Sequence, residues 1–255
     1  VMRPRPSPDA AGTERSELLR RGRYRARHAG PDEIPAAQAL RGQAFFGPDG
    51  PPDIDRFDSL CRHVLIEDTA ESALVACFRY LWLGDGAAIT DSYSAQYYDL
   101  HRLAAFDGPA MELGRFCLRP GSNDPDILRL AWAAITALVD RGGARLLFGC
   151  ASFAGTNPER YAPAFAHLRG RHLAPEAWRV GEKAPERVGF PQTGADARAA
   201  MRLIPPLLRT YLGMGGWVSD HAVVDREMNT LHVFTAVEVA AIPPARARAL
   251  RAIAG

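Results

Sequence analysis

A carboxylate and an arginine stand three residues apart within the mostly apolar run Met111-Glu112-Leu113-Gly114-Arg115-Phe116-Cys117-Leu118. A carboxylate inside a strand is unfavourable unless it is paired or functional, so Glu112 is a candidate general base whose pKa burial would raise. Side chains three apart on a regular strand point to opposite faces, and Gly114 is a candidate bulge that redirects one of them. A structural Glu112–Arg115 ion pair is the alternative that the pattern alone favours.

A second set of charged residues precedes this run. Arg41 and Phe45 are four apart on a predicted helix and therefore share a face. Asp55 and Asp58 are close enough in sequence to contact one arginine together. The set predicts either the charged wall of a cleft or a solvated helix end.

The turn Arg119-Pro120-Gly121-Ser122-Asn123-Asp124 leads into a predicted helix. The backbone N–H groups of a helix N-terminus favour a phosphate, so Arg119, Ser122 and Asn123 are candidates for contacting the phosphate of a pantetheine arm. The carboxylates of Asp124 and Asp126 weaken such an anion site.

Other common chemistries have no support in the sequence. The run Gly149-Cys150-Ala151-Ser152-Phe153-Ala154-Gly155 lacks the G-x-S-x-G spacing of a nucleophile elbow, and its apolar strand predicts an inert thiol at Cys150. The sequence contains no Walker A loop, no dinucleotide G-x-G-x-x-G and no histidine or cysteine spacing typical of zinc. We therefore expect neither a metal nor a nucleotide cofactor.

Composition sets further limits. With 255 residues, 47% of them hydrophobic, the chain can bury one sizeable core. No run approaches 18 apolar residues and the N-terminus lacks the apolar segment of a signal peptide, so we expect a cytoplasmic protein. Although the net charge is only +2, residues 1–28 contain eight arginines. These predict a docking surface for an anionic partner, unless they only reflect an arginine-rich composition.

Periodicity and turn signals predict the order β-α-β-β-β-α-β-α-loop-β-β. The first helix is expected from Asp32 to Phe46, and the second from the N-cap Asp124 to Gly142. Residues 1–22 are predicted to form a flexible basic arm, and residues 23–255 a single domain with a long polar loop at about 169–200. Helices between strands predict an α/β fold with a mixed central sheet.

Several segments, taken together and in order, give the chain a resemblance to a known family. It resembles the bacterial ornithine N-acyltransferases that make lyso-ornithine lipid, which are related to the acyl-homoserine-lactone synthases. The resemblance runs from about residue 24 to about residue 239. The segments that carry it are Ala37–Arg41, Asp55–His63, Tyr93–Leu100, Glu112–Cys117, Leu147–Phe153 and Pro205–Leu208.

The resemblance implies a GNAT-type fold, a mixed central sheet flanked by helices, and an N-acyltransferase activity. The expected reaction moves a (3-hydroxy)fatty acyl chain from acyl carrier protein to the α-amine of L-ornithine. It needs no cofactor beyond the acyl-phosphopantetheine of the donor. The usual coenzyme A loop of GNAT enzymes is absent after the fourth strand, which fits a carrier-protein donor. Peripheral contact with the inner membrane is expected, and nucleic acid binding is not.

The resemblance also implies roles for individual residues. Glu112 is expected to be the base, Arg115 to shape the cleft and hold anionic groups, and Ser152 to hydrogen-bond the thioester region. The expected substrate-binding residues are Arg41, Phe45, Asp55, Asp58 and Arg79. A tryptophan that the acyl-homoserine-lactone synthases carry between the first helix and the acidic pair has no match here.

Two classes of alternative remain open at this stage. Within the enzyme class, the chain resembles enzymes that make acyl-homoserine lactones or acylate another amino acid. Outside it, the chain would be a noncatalytic lipid- or carrier-binding protein, or a membrane-lytic factor. The absence of a strong amphipathic membrane helix argues against lysis.

Overall fold

The computed structural model describes residues 15–192 and 196–254. The chain divides into two compact units. The first unit comprises the described residues up to 82, residues 113–144 and those from 244 onward. The second comprises residues 83–112 and 145–243. The two units are described separately below.

The described residues contain twelve strands and six α-helices. The strands are β1 (Glu17–Arg21), β2 (Tyr24–His28), β3 (Arg62–Asp68), β4 (Ala73–Leu83), β5 (Tyr98–Asp99), β6 (Ala110–Leu118), β7 (Leu146–Ala154), β8 (Gly181–Glu182), β9 (Arg187–Gly189), β10 (Trp217–Val218), β11 (His221–Asp225) and β12 (Thr230–Glu238). The helices are α1 (Ile34–Phe46), α2 (Pro125–Gly142), α3 (Ala162–Arg171), α4 (Ala197–Leu203), α5 (Pro206–Gly213) and α6 (Pro244–Ala254).

In the first unit, β1, β2, β3 and β4 pair as successive antiparallel neighbours. Helix α2 begins where the sequence predicts, because the Asp124 carboxylate accepts the backbone N–H of Asp126 and Pro125 occupies the first helical position. It ends at Gly143, whose φ of 68° is the left-handed conformation typical of a helix C-cap. Helix α6 packs against α2.

In the second unit, β7 pairs with β12 in antiparallel register over nine residues, from Leu146↔Glu238 to Ala154↔Thr230. β11 pairs with β12 and with β9, and β10 also pairs with β12. The continuous apolar start of β7 is buried, as expected of a strand covered on both faces.

Most predicted elements are confirmed, and three expectations need correction. Residues 17–21 of the predicted flexible arm form strand β1 because they pair with β2, whereas residues 1–14 lie outside the described residues. The predicted loop at 169–200 contains the end of α3, the short strands β8 and β9 and the start of α4. The first of the two strands predicted after the loop is divided between β10 and β11. The prediction of a single domain over 23–255 stays a prediction.

The arginines near the N-terminus are already paired. All six that lie between residues 15 and 28 form ion pairs with carboxylates of the first unit. Arg27, for example, contacts Glu33 at 2.7 Å and Glu67 at 2.5 Å. This region therefore carries much less net positive charge than its arginine content indicates.

The loop after α1 packs directly on that helix. Gly47 adopts a φ of 98° and reverses the chain, and the backbone N–H of Asp53 donates to the carbonyl of Gln38 at 3.0 Å. A Cβ atom on Gly42 would lie 2.2 Å from the carbonyl oxygen of Pro51. The absence of a side chain at position 42 thus lets the loop approach the helix.

We expect Gly42→Ala to lower the free energy of unfolding by about 1–3 kcal/mol, since the added methyl overlaps the Pro51 carbonyl and the loop must shift. Urea denaturation measures this value. The matched control is Gly170→Ala in α3, where a Cβ would meet nothing within 4 Å. There the better helix propensity of alanine is expected to raise stability by up to about 1 kcal/mol. Equal effects of the two substitutions would contradict the packing described here.

Candidate functional site

Six charged side chains of the first unit form one connected group, here called the charge cluster. It contains three arginines and three aspartates and is therefore balanced in charge. Its members are Arg41, Arg79, Arg115, Asp53, Asp55 and Asp58.

Arg41 lies at the buried end of the cluster. Its side chain projects from α1, is 1% exposed, and contacts Asp53 at 2.7 Å and Asp58 at 2.8 Å. A further N–H of Arg41 donates to the backbone carbonyl of Asp53. Gln38, one turn earlier on α1, also donates to Asp58 at 2.9 Å. Arg41 therefore fixes the 53–58 segment against α1, and its contacts favour a positioning role over direct contact with a ligand.

The more accessible end of the cluster is formed by Asp55 and Arg115. Arg79, on β4, bridges the two aspartates that the sequence predicted to share one arginine, at 2.6 Å from Asp55 and 2.5 Å from Asp58. Arg115, on β6, contacts Asp53 at 2.9 Å and Asp55 at 3.1 Å. The side chains of Asp55 and Arg115 are 21% and 12% exposed, so they are the members best placed to meet a charged ligand.

The cluster keeps Asp55 and Asp58 ionised. Burial alone would raise the pKa of Asp58, but hydrogen bonds from Arg41 and Gln38 lower it well below its ordinary value. Burial also acts to raise the pKa of Asp55, and the hydrogen bonds and charge of Arg79 outweigh it and lower that pKa too. Both carboxylates are therefore negative at physiological pH.

The backbone of β6 is irregular at Arg115. The residue has a φ of 52°, the left-handed region that a side chain other than glycine rarely occupies within a strand. This fits the sequence expectation that the chain at Gly114 departs from regular alternation. Such a conformation is unfavourable, and it persists here in a residue whose guanidinium is held by two aspartates.

In the second unit, the carboxylate of Glu112 is held by the turn at residues 92–94. Its Oε2 accepts the backbone N–H of Tyr93 at 2.9 Å. Its Oε1 accepts the backbone N–H of Ser94 at 2.7 Å and the Ser94 hydroxyl at 2.6 Å. Glu112 is 4% exposed. Three donors thus fix both oxygens of a buried carboxylate, which satisfies the group that the sequence marked as costly to bury.

The hydrogen-bonded group at Glu112 extends to β7. The sulfur of Cys150 lies 3.4 Å from the Ser94 hydroxyl. Ser152 is two residues further along β7, and residues two apart in a strand share a face. Cys150 is half-buried and Ser152 is exposed. The second unit therefore places Glu112, Ser94 and Cys150 in one chain of contacts, and Ser152 on the same strand face as Cys150.

The predicted phosphate-binding turn carries the carboxylate that was expected to weaken an anion site there. Ser122 donates its backbone N–H to the carbonyl of Arg119 and so closes the turn. The Asp124 carboxylate accepts from Asp126 N–H at 2.9 Å and from the Tyr24 hydroxyl at 2.9 Å. A phosphate at this helix N-terminus would meet a carboxylate already in place, so the geometry does not favour the roles predicted for Arg119, Ser122 and Asn123.

The structure brings together the predicted residues of the charge cluster. Phe45, near the end of α1, instead packs against an apolar cluster formed by Ala37, Leu40, Leu65, Cys77 and Cys117. Sequence reasoning missed Asp53, which completes the cluster, and it missed the Tyr93–Ser94 turn. The donors of that turn are mainly backbone N–H groups, which no residue type reveals. Whether any of these groups contacts substrate stays a prediction.

The described residues form neither a metal-binding cluster nor a membrane-spanning helix. Over 15–192 and 196–254, no group of three or more His, Cys, Asp or Glu side chains is arranged to hold a metal ion. No helix in the same ranges is both long enough and apolar enough to cross a membrane.

Comparison with known proteins gives a consistent result. The family described as an acetyltransferase (GNAT) domain matches residues 41–133. An L-ornithine N(alpha)-acyltransferase of Rhodobacter capsulatus is 33% identical over 226 residues, covering 82% of this chain and 87% of that protein. The L-ornithine N(alpha)-acyltransferase of Brucella abortus is 31% identical and covers 79% of each chain. The expected GNAT-type α/β fold and acyltransferase class are thereby confirmed.

Among solved structures, one that aligns with this chain is that of a GNAT-like decarboxylase in complex with isobutyryl-CoA. It is 18% identical, with a TM-score of 0.48, and the match covers 84% of this chain and 99% of that one.

We expect Asp58→Asn to lower the free energy of unfolding by about 3–5 kcal/mol, because it leaves the buried Arg41 charge poorly compensated. Chemical denaturation at neutral pH measures the loss. Asp140→Asn is the control, since its partner Arg251 is exposed and such a pair contributes at most about 1 kcal/mol. A loss at Asp58 no larger than that at Asp140 would contradict the structural role assigned to the cluster.

The contribution of Asp58 to the free energy of unfolding is expected to decrease as the pH falls. Its folded pKa lies below the ordinary value of 3.8, so the contribution is complete above that pH and is lost as pH falls through the folded pKa. The stability difference between the wild type and Asp58→Asn should therefore be constant from neutral pH to about pH 5 and shrink below about pH 4. Denaturation series at each pH test this, and a difference that grows on acidification would refute it.

Proposed function

Because the chain belongs to the family of L-ornithine N(alpha)-acyltransferases, we propose that it acylates the α-amine of L-ornithine. The acyl chain comes from the phosphopantetheine thioester of acyl carrier protein, and the product is lyso-ornithine lipid. The observation that carries the proposal is the buried Glu112 carboxylate, which three donors hold in a fixed orientation in the second unit.

The proposed reaction is a direct aminolysis. The amine nitrogen of ornithine attacks the thioester carbonyl, a C–N bond forms, and the C–S bond breaks with release of the pantetheine thiol. The amine must be neutral to attack, so a base has to remove a proton from the ammonium form or from the attacking amine. Glu112 is the proposed base, acting directly or through a water molecule. No covalent acyl-enzyme is required.

The fixed orientation of Glu112 supports this role. A base contributes most when its lone pairs are held in place before the reaction, because no reorganisation then accompanies proton transfer. The Tyr93 and Ser94 N–H groups supply that orientation from the backbone, which is more rigid than a side chain. Ser152, exposed on the face of β7 that also carries Cys150, is the proposed hydrogen-bond donor to the thioester region.

The charge cluster is the proposed acceptor-binding element. L-Ornithine carries a carboxylate and a side-chain ammonium, so a site for it requires both signs of charge. Asp55 and Arg115 offer both at the accessible end of the cluster. Arg79, Asp58 and Arg41 would hold that end in place from behind, and Phe45 would contribute apolar contact. Arginine is suited to the carboxylate because its fork makes two parallel hydrogen bonds.

The donor and the location are further parts of the proposal. An acyl carrier protein supplies the thioester, so no separate cofactor is needed. The turn of Arg119, Ser122 and Asn123 is the less favoured place for the donor phosphate, because the Asp124 carboxylate lies beside it. The product is amphipathic and belongs in the inner membrane, which fits a cytoplasmic enzyme in peripheral contact with that surface.

The acceptor is tested by incubating the purified protein with acyl carrier protein thioester and a panel of amino acids and amines. Mass spectrometry of the products is expected to show N-acyl ornithine as the main product. Norvaline, which lacks the side-chain ammonium, should react at least about tenfold more slowly if Asp55 recognises that charge. Formation of acyl-homoserine lactone from S-adenosylmethionine, or equal use of all amino acids, would refute the assignment of ornithine.

We expect Glu112→Gln to reduce kcat by about 10²–10⁴, since the amide cannot accept the proton although it keeps the size of the side chain. Initial rates with the carrier-protein donor measure this. The control is Glu186→Gln in the same unit, an exposed residue paired with Arg226, which should leave the rate unchanged.

Loss of activity through misfolding is separated from loss of the base by a second variant. Ser94→Ala removes one donor to Glu112 and keeps the carboxylate, so it should retain more activity than Glu112→Gln at equal thermal stability. Full activity of a folded Glu112→Gln protein would rule out this residue as the base, even if ornithine is the acceptor.

A further inference from the structure

Three consecutive helices of the second unit, α3, α4 and α5, contain five arginines and no aspartate or glutamate. Within residues 15–192 and 196–254, none of the five forms an ion pair with a carboxylate. This differs from the N-terminal region, where every described arginine is paired. The five residues are Arg169, Arg171, Arg198, Arg202 and Arg209.

Three of these arginines lie close together. Arg198 and Arg202 are four apart on α4 and therefore share a face of that helix. Arg209 of α5 donates to the backbone carbonyl of Met201 at 3.3 Å, which brings its guanidinium to the end of α4. All three are exposed. Together they are called the basic surface below.

The stability of the helices explains this arrangement only in part. Like charges at i and i+4 repel each other, and a cation in the first turn of a helix is opposed by the helix dipole. Arg198 has both disadvantages. Arg169 and Arg171, by contrast, lie in the last turn of α3, where the dipole favours cations. On α4 the dipole likewise favours Arg202, which lies in the last turn, but not Arg198, so helix stability does not account for Arg198.

We infer that the basic surface binds the acidic protein part of the acyl donor, the acyl carrier protein. The inference rests on the proposed function, which requires such a donor, and it assigns the docking site to the second unit rather than to the N-terminal arginines. Among the described residues, the three exposed arginines outnumber the one carboxylate beside them, that of Asp196 at the N-cap of α4. A compact surface with such an excess of positive charge steers an acidic partner and sets its orientation.

The surface fits an acidic protein better than a lipid bilayer. A peripheral membrane surface combines cations with exposed large apolar side chains that enter the lipid. In the described residues, the exposed large hydrophobic side chains are Phe46, Ile54 and Leu60, all in the first unit. The basic surface has none of them, so its chemistry is that of a polar, charge-matched protein contact.

The test compares two double charge reversals that change the net charge equally. Arg198→Glu/Arg202→Glu alters the basic surface. Arg246→Glu/Arg248→Glu alters two exposed arginines of α6, in the first unit, that also form no ion pair in the described residues. Initial rates are measured with the same acyl chain on acyl carrier protein and on coenzyme A, which lacks the protein part.

The α4 variant is expected to raise KM for the carrier-protein donor by at least about tenfold, with kcat and the rates from the coenzyme A donor unchanged. The α6 variant should behave as the wild type. The wild-type KM for the carrier protein should also rise with salt, and the α4 variant should lose that dependence.

The other possible results distinguish a failure of this inference from a failure of the proposed function. Equal KM values in the two double variants would overturn the inference while the proposed function stands. Loss of binding to anionic phosphatidylglycerol vesicles by the α4 variant, with its carrier-protein KM unchanged, would also overturn it and assign the surface to lipid. A wild-type enzyme that acylates ornithine only from coenzyme A would refute the proposed donor, and the docking site with it.

Discussion

The burial of the Arg41 guanidinium is the constraint on which the first unit depends. A charge with 1% exposure is tolerated only when carboxylates surround it, and the chain supplies them from the loop that follows α1. The loop therefore has to fold back along the helix. The glycine at position 42 permits that course, and the 3-10 turn at residues 56–59 directs Asp58 inward. One charge thus determines the path of the segment between α1 and β3.

The second unit satisfies its buried carboxylate in a different way. Glu112 receives two backbone N–H groups and one hydroxyl from a single turn, whereas the first unit uses side-chain charges against side-chain charges. Two of these three donors are backbone groups, which cannot rotate away from the carboxylate as a side chain can. The turn at residues 92–94 thus fixes the orientation of the Glu112 carboxylate, whereas the arginines of the charge cluster keep Asp55 and Asp58 ionised.

The sequence predicts the fold well where the signal is local. The N-cap at Asp124, the glycine stop after α2 and the long apolar run of β7 depend on neighbouring residues only, and all are confirmed. Strands β1, β8 and β9 were missed because they are short and polar and are stabilised by pairing with a partner strand. The arm and loop predictions were wrong in part for the same reason, since composition alone does not show that Glu17–Arg21 pairs with β2.

The residues of the candidate site also differ in whether a local sequence signal predicts them. The spacing of Asp55 and Asp58 correctly predicts that they share an arginine, because both lie on one short turn. The contributions of Asp53 and of the Tyr93 and Ser94 N–H groups depend on tertiary structure, so no spacing rule finds them. The basic arginines near the N-terminus show the converse error, because a count of charges cannot reveal which of them are neutralised by contacts such as Arg25–Glu67.

The four cysteines differ in a way that has practical value. Cys77 and Cys117 are buried against each other with their sulfurs 3.6 Å apart, and the contact with Cys117, together with burial, raises the pKa of the Cys77 thiol. The thiolate is the form of cysteine that attacks an alkylating reagent, so Cys77 should label slowly. Cys150 is half-buried beside Ser94, the residue that holds Glu112. With Cys61 replaced by serine, the rate at which a chromogenic thiol reagent labels Cys150 would report on changes at that carboxylate.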